Sequence, residues 1–257
     1  MALDQLDIPT VEHEVFRNPP LKAMLGRVRF PTVLRIADLP SLAPFQEAIR
    51  HEFPTFSQER QLSFVVGPQG PQGASAQQAF RFITEDGGWS ILLTPETVTL
   101  EADVAVRYAS YDEFVERFQL AWTAILTHFG PRQVARQRLR YVDHLESERS
   151  APEWASLINP DLLGPVVERF GDAVTQSASE LRLSLADGVL VFKHGMLPVG
   201  PDGKMGYLLD FDYSTEQPSD DTSLDAIMQR FNRYHETLHS FFRWCVTDAA
   251  LEIFRGE

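Results

Sequence analysis

One pattern in the sequence could support hydrolytic chemistry, and it is His235-Glu236-Thr237-Leu238-His239. In the H-E-x-x-H motif, two histidines one helical turn apart hold a zinc ion and the glutamate activates a water molecule. A zinc-dependent hydrolase acting through His235, Glu236 and His239 is therefore one alternative for the function. In that alternative, His235 and His239 are the metal ligands.

The surroundings of this motif favour a structural role for its histidines. His235 falls on an apolar stripe at helical spacing with Leu238 and Phe242, and the corresponding helix of the first half has Trp122 at the matching place. Packing alone therefore accounts for a large ring there, and little chain remains after His239 to supply a third ligand. We predict that both histidines are core or capping residues, and we expect no cofactor and no catalytic residues.

A second candidate site consists of charged residues that alternate with apolar ones at the period of two typical of a half-buried strand. The apolar alternates are expected to face the helices: Val28, Phe30, Phe80, Phe82, Leu100, Ala102, Leu139, Tyr141, Leu181, Leu183, Leu209 and Phe211. Arg27 and Arg138 fall among the charged alternates, which then share the opposite, open face. The candidate ligand- or partner-binding residues on that face are Arg29, Arg81, Arg140, Arg182, Glu101, Asp103, Asp210 and Asp212.

Three interpretations of the charged face remain open. Opposite charges on neighbouring strands could form a ladder of ion pairs that keeps the open face from adhering to other sheets. The arginines could instead form a binding groove, because a guanidinium group suits two-point capture of phosphate or carboxylate. The pairs Glu101/Asp103 and Asp210/Asp212 could hold Mg²⁺ or Ca²⁺, although no third acidic ligand is evident.

These charged positions recur because the chain repeats its short patterns in the same order. Arg27–Phe30 matches Arg138–Tyr141, and Leu100–Asp103 matches Leu209–Asp212. Repeats of this length indicate one fused duplication and not a solenoid. We expect residues 1–257 to form a single domain of two homologous halves, with an N-terminal arm at 1–16, a first repeat at 17–130 and a second repeat at 131–257.

Local signals place the helices and turns of each half. Ser110, with Asp112 and Glu113 in the first turn, is typical of the start of a helix, which we predict to run to about Phe129. Asp86-Gly87 predicts a hairpin turn, and the glycines and prolines of residues 67–73 predict a flexible loop. In the second half we predict a short helical segment near 152–169 and a C-terminal helix from about Ser223.

The resulting order is a strand, a helix, several antiparallel strands and a long helix, and this order occurs once in each half of the chain. It predicts an α+β fold in which an antiparallel sheet carries its helices on one face. The order resembles the saddle-like topology of the TATA-binding protein. This is a resemblance of topology, which does not carry function.

Composition limits the classes of function. The formal net charge of −13 argues against a protein that coats nucleic acid non-specifically, because neutralising phosphates needs an excess of Lys and Arg. The single cysteine, Cys245, excludes an intrachain disulfide framework, and no apolar stretch reaches the ~20 residues of a membrane span. With no signal-peptide pattern at the acidic N-terminus, we expect a soluble protein of the cytoplasm and no membrane partner.

Several segments together resemble those of one known family: Asn18–Leu21, the Phe80–Leu93 hairpin with Trp89, the Tyr108–Phe114 helix start, Arg138–Asp143, Ile158–Pro160, Leu209–Asp212 and His239–Asp248. The chain resembles a sporadically distributed family of bacterial and archaeal conserved hypothetical proteins of about this length. In that family the Arg-Tyr strand usually continues with Asn, where this chain has Asp143. The resemblance implies no assigned reaction and no catalytic residues.

The residues therefore favour a non-enzymatic binding module that uses the charged open face. A basic protein partner, an anionic ligand or a nucleic acid strand would be the bound species, and the strong acidity makes a basic protein at least as suitable as nucleic acid. The zinc-dependent hydrolase and a structural or oligomerising protein are the alternatives, and the sequence leaves the oligomeric state open.

Overall fold

A computed structural model of the chain describes residues 6–67, 70–104, 106, 110–146, 151–164, 166–199 and 204–256. The first five residues of the predicted arm, Pro68 and Gln69 of the predicted loop, and Tyr108 of the predicted helix start lie outside the described residues. The described chain is a mixed α+β fold with a large antiparallel sheet and helices. This confirms the predicted α+β class with an antiparallel sheet.

The strands are β1 (Leu21–Arg29), β2 (Thr55–Gly67), β3 (Gly70–Ile83), β4 (Trp89–Thr94), β5 (Thr97–Asp103), β6 (Arg136–Glu146), β7 (Ser179–Leu185), β8 (Gly188–Val199) and β9 (Lys204–Ser214). The helices are α1 (Leu39–Ile49), α2 (Tyr111–His128), α3 (Ala151–Trp154), α4 (Pro160–Leu163), α5 (Leu224–Cys245) and α6 (Asp248–Arg255). Short turns of 3₁₀-helix lie at Leu34–Ala37 and Gly171–Ala173, and a turn of π-helix lies at Val166–Phe170.

The chain segments form two compact units. The middle unit comprises Met24–Arg138 and Gln217–Gln229, and the terminal unit comprises the residues up to Ala23, Leu139–Glu216 and the residues from Arg230 onward. Each unit therefore joins segments that are distant in sequence, and the contacts that hold it together have to form between those segments.

In the middle unit, the strands follow the order β2-β3-β4-β5-β1. The hairpin between β3 and β4 turns at Asp86-Gly87 as predicted, and Gly87 has a φ of 74°, which glycine adopts at little cost. The Asp86 carboxylate fixes the turn by accepting hydrogen bonds from the Thr84 hydroxyl and the Gly88 amide. This local chemistry explains why the sequence alone located the turn.

Helix α2 packs a continuous apolar stripe against the core of the middle unit. Phe114, Phe118, Trp122 and Ile125 are fully buried at helical spacing. The helix begins with a capping box, in which the Ser110 hydroxyl accepts from the Glu113 amide and the Glu113 carboxylate accepts from the Ser110 amide. The predicted start and end of this helix are confirmed to within about a residue.

In the terminal unit, the strands follow the order β6-β9-β8-β7, and β9 pairs with β8 over the whole length of β9, from Val189↔Ser214 to Val199↔Lys204. Two helices lie where one C-terminal helix was predicted. After α5 ends at Cys245, the Thr247 hydroxyl accepts from the Ala250 amide and caps α6. A threonine at an N-cap starts a new helix because it satisfies an amide that has no partner within the helix.

One local prediction was wrong, and another was right only in outline. Residues 70–73, expected in a flexible loop, lie in β3, where Gly70 pairs with Gly67 and Gly73 pairs with Val65. The register shifts between Val65, which pairs with Gly73, and Val66, which pairs with Pro71. The predicted helical segment near 152–169 consists of two one-turn helices, α3 and α4, followed by the turn of π-helix.

The predicted inward face is buried at almost all of its positions. Val28, Phe30, Phe80, Phe82, Leu100, Ala102, Leu139, Tyr141, Leu209 and Phe211 are all buried. Leu181 is the exception, because its side chain is 43% exposed, and Leu183 on the same strand is half-buried. Strand β7 is last in the strand order, and most of its residues are exposed. Its alternating apolar and polar residues therefore do not alternate between buried and exposed positions.

Candidate functional site

Arg81 is the centre of the charged face of the middle unit. Its Nε donates to Glu59 Oε1 at 2.7 Å, and its Nη1 donates to Glu101 Oε2 at 3.1 Å and to Ser90 Oγ at 2.8 Å. These partners lie on β2, β5 and β4, so one guanidinium group joins four strands. Burial alone would lower the pKa of Arg81, but hydrogen bonds to Glu59 and Glu101 outweigh it and the pKa is raised.

Arg29, at the end of β1, has a partner outside the regular strands. Its Nη2 donates to Glu96 Oε2 at 3.1 Å, and Thr32 Oγ1 donates to the other carboxylate oxygen at 2.9 Å. Glu96 lies in the turn between β4 and β5, so the alternation of strand residues gave no sign of it. The Arg29 side chain is 59% exposed and remains accessible to solvent.

Arg140 forms the closest pair on the charged face of the terminal unit. Its Nε and Nη2 donate to the two carboxylate oxygens of Asp210, each at 2.7 Å. The hydrogen bonds to Asp210 raise the pKa of Arg140, although burial opposes them. Arg182 is more exposed and donates to Glu216 at the longer distance of 3.4 Å.

All four predicted arginines are therefore engaged by a carboxylate of their own unit. The pairs match the ion-pair ladder more closely than a groove of free arginines. Of the predicted carboxylates, Glu101 and Asp210 belong to these pairs, Asp103 is exposed and Asp212 is half-buried. Within the described residues, no three side chains of His, Cys, Asp or Glu are placed to hold a metal ion, and this includes the Glu101/Asp103 and Asp210/Asp212 pairs.

Asp143 lies on the buried face of β6, opposite to the charged face. Burial, together with the nearby charge of Asp210, raises its pKa to about 8. A carboxyl group with this pKa is mostly protonated at neutral pH, and a protonated carboxyl has nearly the shape of the Asn amide. Asp143 also raises the pKa of the buried Cys245 thiol at the end of α5, in addition to the larger effect of burial.

A cluster of three histidines is the part of the site that the sequence analysis missed. The ring of His13 lies 5.0 Å from that of His235 and 4.9 Å from that of His239, measured between centroids. The rings of His235 and His239 are 6.2 Å apart. His13 comes from the N-terminal arm, so the third imidazole is supplied by a segment that precedes the motif and not by one that follows it.

Hydrogen bonds orient the two histidines of α5. His235 Nδ1 lies 2.8 Å from Tyr141 Oη, and His239 Nε2 donates to the carbonyl oxygen of Glu12 at 3.2 Å. Burial, followed by the nearby His13, lowers the pKa of His235 to about 3 and that of His239 to about 4. Glu236 is exposed on α5. His13, which was not among the predicted site residues, lies beside both histidines of the motif.

The described part of the predicted N-terminal arm is anchored by ion pairs and by ring contacts. Glu14 accepts hydrogen bonds from Arg255 at 2.6 and 2.9 Å and from Arg243 at 2.8 Å. Phe16 packs against the rings of Phe242 and Phe254, with centroids 6.3 and 5.7 Å away. These contacts hold the arm against α5 and α6 and carry His13 to its position.

The protein is an α+β protein with an antiparallel sheet whose strands carry charged residues. No protein-family model matches the chain, and no curated protein matches it significantly. Among the described residues, no helix has both the length and the apolar character needed to cross a membrane.

Proposed function

We propose that the protein is a non-enzymatic binding module and that its charged strand faces contact a protein partner. The observation that carries this proposal is the network around Arg81, in which Glu59, Ser90 and Glu101 fix the guanidinium group in one orientation. Side chains that are already held in place lose little conformational freedom on binding. A mixed pattern of fixed charges is also well suited to selecting a partner with the complementary pattern.

The ion pairs favour a protein over a nucleic acid or a small anion. A phosphate would have to displace Glu59 or Asp210 from an arginine, and the displaced carboxylate would then repel it. A protein surface can instead add basic groups beside the carboxylates and acidic groups beside the arginines. The formal net charge of −13 would attract a basic partner over long distances.

We also propose that the two halves are homologous, at 17–130 and 131–257, and that the sheet has the saddle-like topology of the TATA-binding protein. Matching strand orders support this proposal. In the middle unit the first strand, β1, lies beside the last strand, β5, and in the terminal unit the first strand, β6, lies beside the last strand, β9. A long helix follows the last strand of each half, as α2 and α5 do. We further propose that the chain belongs to the sporadically distributed bacterial and archaeal family and that it is located in the cytoplasm.

The charged-face proposal is tested by reversing its exposed charges. Arg29→Glu and Arg182→Glu change side chains that are 59% and 63% exposed, so the fold should tolerate both. Arg50→Glu is the matched control, because Arg50 is 64% exposed at the end of α1 and lies outside the strands. The wild-type protein, fused to an affinity tag and expressed in its source cells, should retain a partner of defined stoichiometry.

The double variant Arg29→Glu/Arg182→Glu should lose that partner, and Arg50→Glu should keep it. Equal retention by all three proteins would contradict the proposal, and so would a retained species that nuclease treatment removes. A partner with a basic surface would also be released more readily as the salt concentration rises, because salt screens exposed charges.

A further inference from the structure

A cleft with a volume of about 320 Å³ opens on the surface of the terminal unit. Its walls come from the segment that precedes β1, the first residues of β1, the end of β6, the chain after α3, and α6. The residues of the lining that determine its chemistry are Lys22, His144, Glu146, Leu157, Ile253 and Phe254. Small-molecule sites in proteins have volumes of roughly 300 to 1,000 Å³, so this cleft suits a small ligand.

Backbone hydrogen bonds hold the walls of the cleft together. The Asn18 amide donates to the Phe254 carbonyl at 2.8 Å, and the His144 amide donates to the Pro20 carbonyl at 2.9 Å. The first bond joins the segment before β1 to α6, and the second joins the same segment to β6. The cleft is therefore formed before any ligand arrives, as is usual for small-molecule sites.

The polar part of the lining carries balanced charge. Lys22 Nζ lies 2.7 Å from Glu146 Oε1, and the two side chains are 42% and 62% exposed. Burial, followed by the nearby Lys22, lowers the pKa of His144, so its imidazole is mostly neutral at neutral pH. A neutral imidazole can both donate and accept a hydrogen bond. The lining therefore presents one cation and one anion side by side, and their charges cancel.

The apolar part of the lining comes from α6 and from the chain after α3. Leu157 and Phe254 are buried, whereas Ile253 is 50% exposed. An exposed isoleucine gains burial when an apolar group covers it, and removing this area from water favours binding. The cleft therefore places an apolar contact surface beside an ion pair.

A ligand with a single charge fits this lining poorly. A carboxylate that paired with Lys22 would lie beside Glu146, and the two anions would repel each other. An amine that paired with Glu146 would be repelled by Lys22 in the same way. A ligand that carries both charges pairs with both residues and leaves the charge of the cleft balanced.

We propose that the cleft binds a small zwitterion with an apolar body, of the class of the aliphatic α-amino acids. The carboxylate of the ligand pairs with Lys22, its ammonium group pairs with Glu146, and its aliphatic side chain covers Ile253. Because an exposed ion pair contributes little to stability, Lys22 and Glu146 are separated at small cost. The site is independent of Arg29 and Arg182, whose substitution tests the partner-binding face.

Titration of the full-length protein with L-leucine in a calorimeter tests the site. We expect saturable binding of one molecule for each chain, with a dissociation constant on the order of 1 mM or lower. N-acetyl-leucine lacks the ammonium group and leucinamide lacks the carboxylate, so each should bind at least about tenfold more weakly than leucine. Glycine has both charges but no apolar body, and it should also bind at least about tenfold more weakly.

Lys22→Gln and Glu146→Gln should each weaken leucine binding by about tenfold, because each leaves one charge of the ligand unpaired. Both side chains are exposed, so both variants should fold normally. Lys193→Gln is the matched control, because Lys193 is 50% exposed on β8 of the same unit and pairs with Glu180 at 3.1 Å. It should bind leucine as the wild-type protein does.

Three results would each overturn the proposal. The first is the absence of saturable leucine binding to the wild-type protein. The second is equal affinity for leucine in Lys22→Gln and Lys193→Gln. The third is binding of N-acetyl-leucine and leucinamide as tightly as leucine, which would mean that the cleft recognises only the apolar body.

Discussion

The Asp210 carboxylate accepts two hydrogen bonds from Arg140 while the Asp210 side chain is only 8% exposed. A carboxylate so far removed from water depends on its partner, because an unpaired buried charge is costly. The Arg140 side chain is 37% exposed, so solvent screens part of the interaction. This pair should therefore contribute more to stability than the exposed pairs of the same face.

We expect Arg140→Ala to lower the free energy of unfolding by about 2 kcal/mol, the range of hydrogen bonds to charged groups. Arg182→Ala should lower it by less than about 1 kcal/mol, because the Arg182–Glu216 pair is exposed and long. Urea denaturation of the two variants measures both values. If Arg182→Ala costs as much as Arg140→Ala, burial of Asp210 does not make the Arg140–Asp210 pair the stronger one.

Asp143 should make the stability of the protein depend on pH. Its folded-state pKa is about 8, raised by burial and by Asp210, whereas the unfolded carboxyl titrates near pH 4. The folded state thus binds the proton more tightly, and stability falls as pH rises from about 4 to about 8. Above pH 8 this effect is complete, because both states are then ionised.

Asp143→Asn should remove this dependence, because the amide has a similar shape and no charge to bury. Unfolding curves between pH 5 and pH 9 should show the variant gaining stability over the wild-type protein as pH rises, by up to roughly tenfold in the folding constant for each pH unit. Asp212→Asn, a change at a half-buried carboxylate, serves as the control. A constant difference between wild type and Asp143→Asn across this range would argue against the raised pKa.

Glu14 should decide how firmly the N-terminal arm is held. Glu14→Gln removes the charge that pairs with Arg255 and Arg243. Amide exchange at Asn18, which follows the arm by two residues and donates to the Phe254 carbonyl at 2.8 Å, should then become faster. The hydrogen bond from Arg255 is the main cause that lowers the pKa of Glu14, so the ionised form holds the arm. The arm should therefore loosen as pH falls through that lowered pKa.

Hydrogen exchange of the wild-type protein and of Glu47→Gln provides the comparison, because Glu47 pairs with Arg50 on α1 of the middle unit. We expect normal protection of the arm in Glu47→Gln. Protection at Asn18 that stays unchanged in Glu14→Gln would mean that the packing of Phe16 holds the arm without help from the ion pairs.

Arg117 should tolerate lysine poorly. Its guanidinium lies 5.2 Å from the Trp89 ring centroid, and its Nη2 pairs with Glu52 at 2.7 Å, in a place where the side chain is 14% exposed. Lysine keeps the charge but loses the planar group that stacks on the ring. We expect Arg117→Lys to cost about 1–2 kcal/mol in thermal or urea unfolding. Arg50→Lys, at an exposed pair, should have almost no effect.

Local chemistry explains which parts of the fold could be predicted. The Ser110 capping box and the Asp86-Gly87 turn each depend on residues that are close together in the sequence, so the sequence alone located them. The arginines of the charged face were also identifiable, because alternation along one strand is local. Their partners Glu59 and Glu96 were not, since they depend on which strands pair and in which register.

The histidine cluster was even harder to predict from the sequence than the partners of the arginines. The spacing of His235 and His239 is visible on one helix, but the position of His13 depends on how the arm docks. That docking depends on Glu14 and Phe16, whose partners lie near the other end of the chain. A pattern search within a short window of sequence has no access to such a contact.

Because Cys245 is buried, the reactivity of its thiol can be used to measure local opening of the protein at the end of α5. The thiol is fully buried at the end of α5, and burial raises its pKa, so it should react with a thiol reagent only when that end of the helix separates from the core. Since the sequence has a single cysteine, the labelling rate follows one site alone. The ratio of that rate to the rate in the unfolded chain then measures the free energy of local opening beside Asp143.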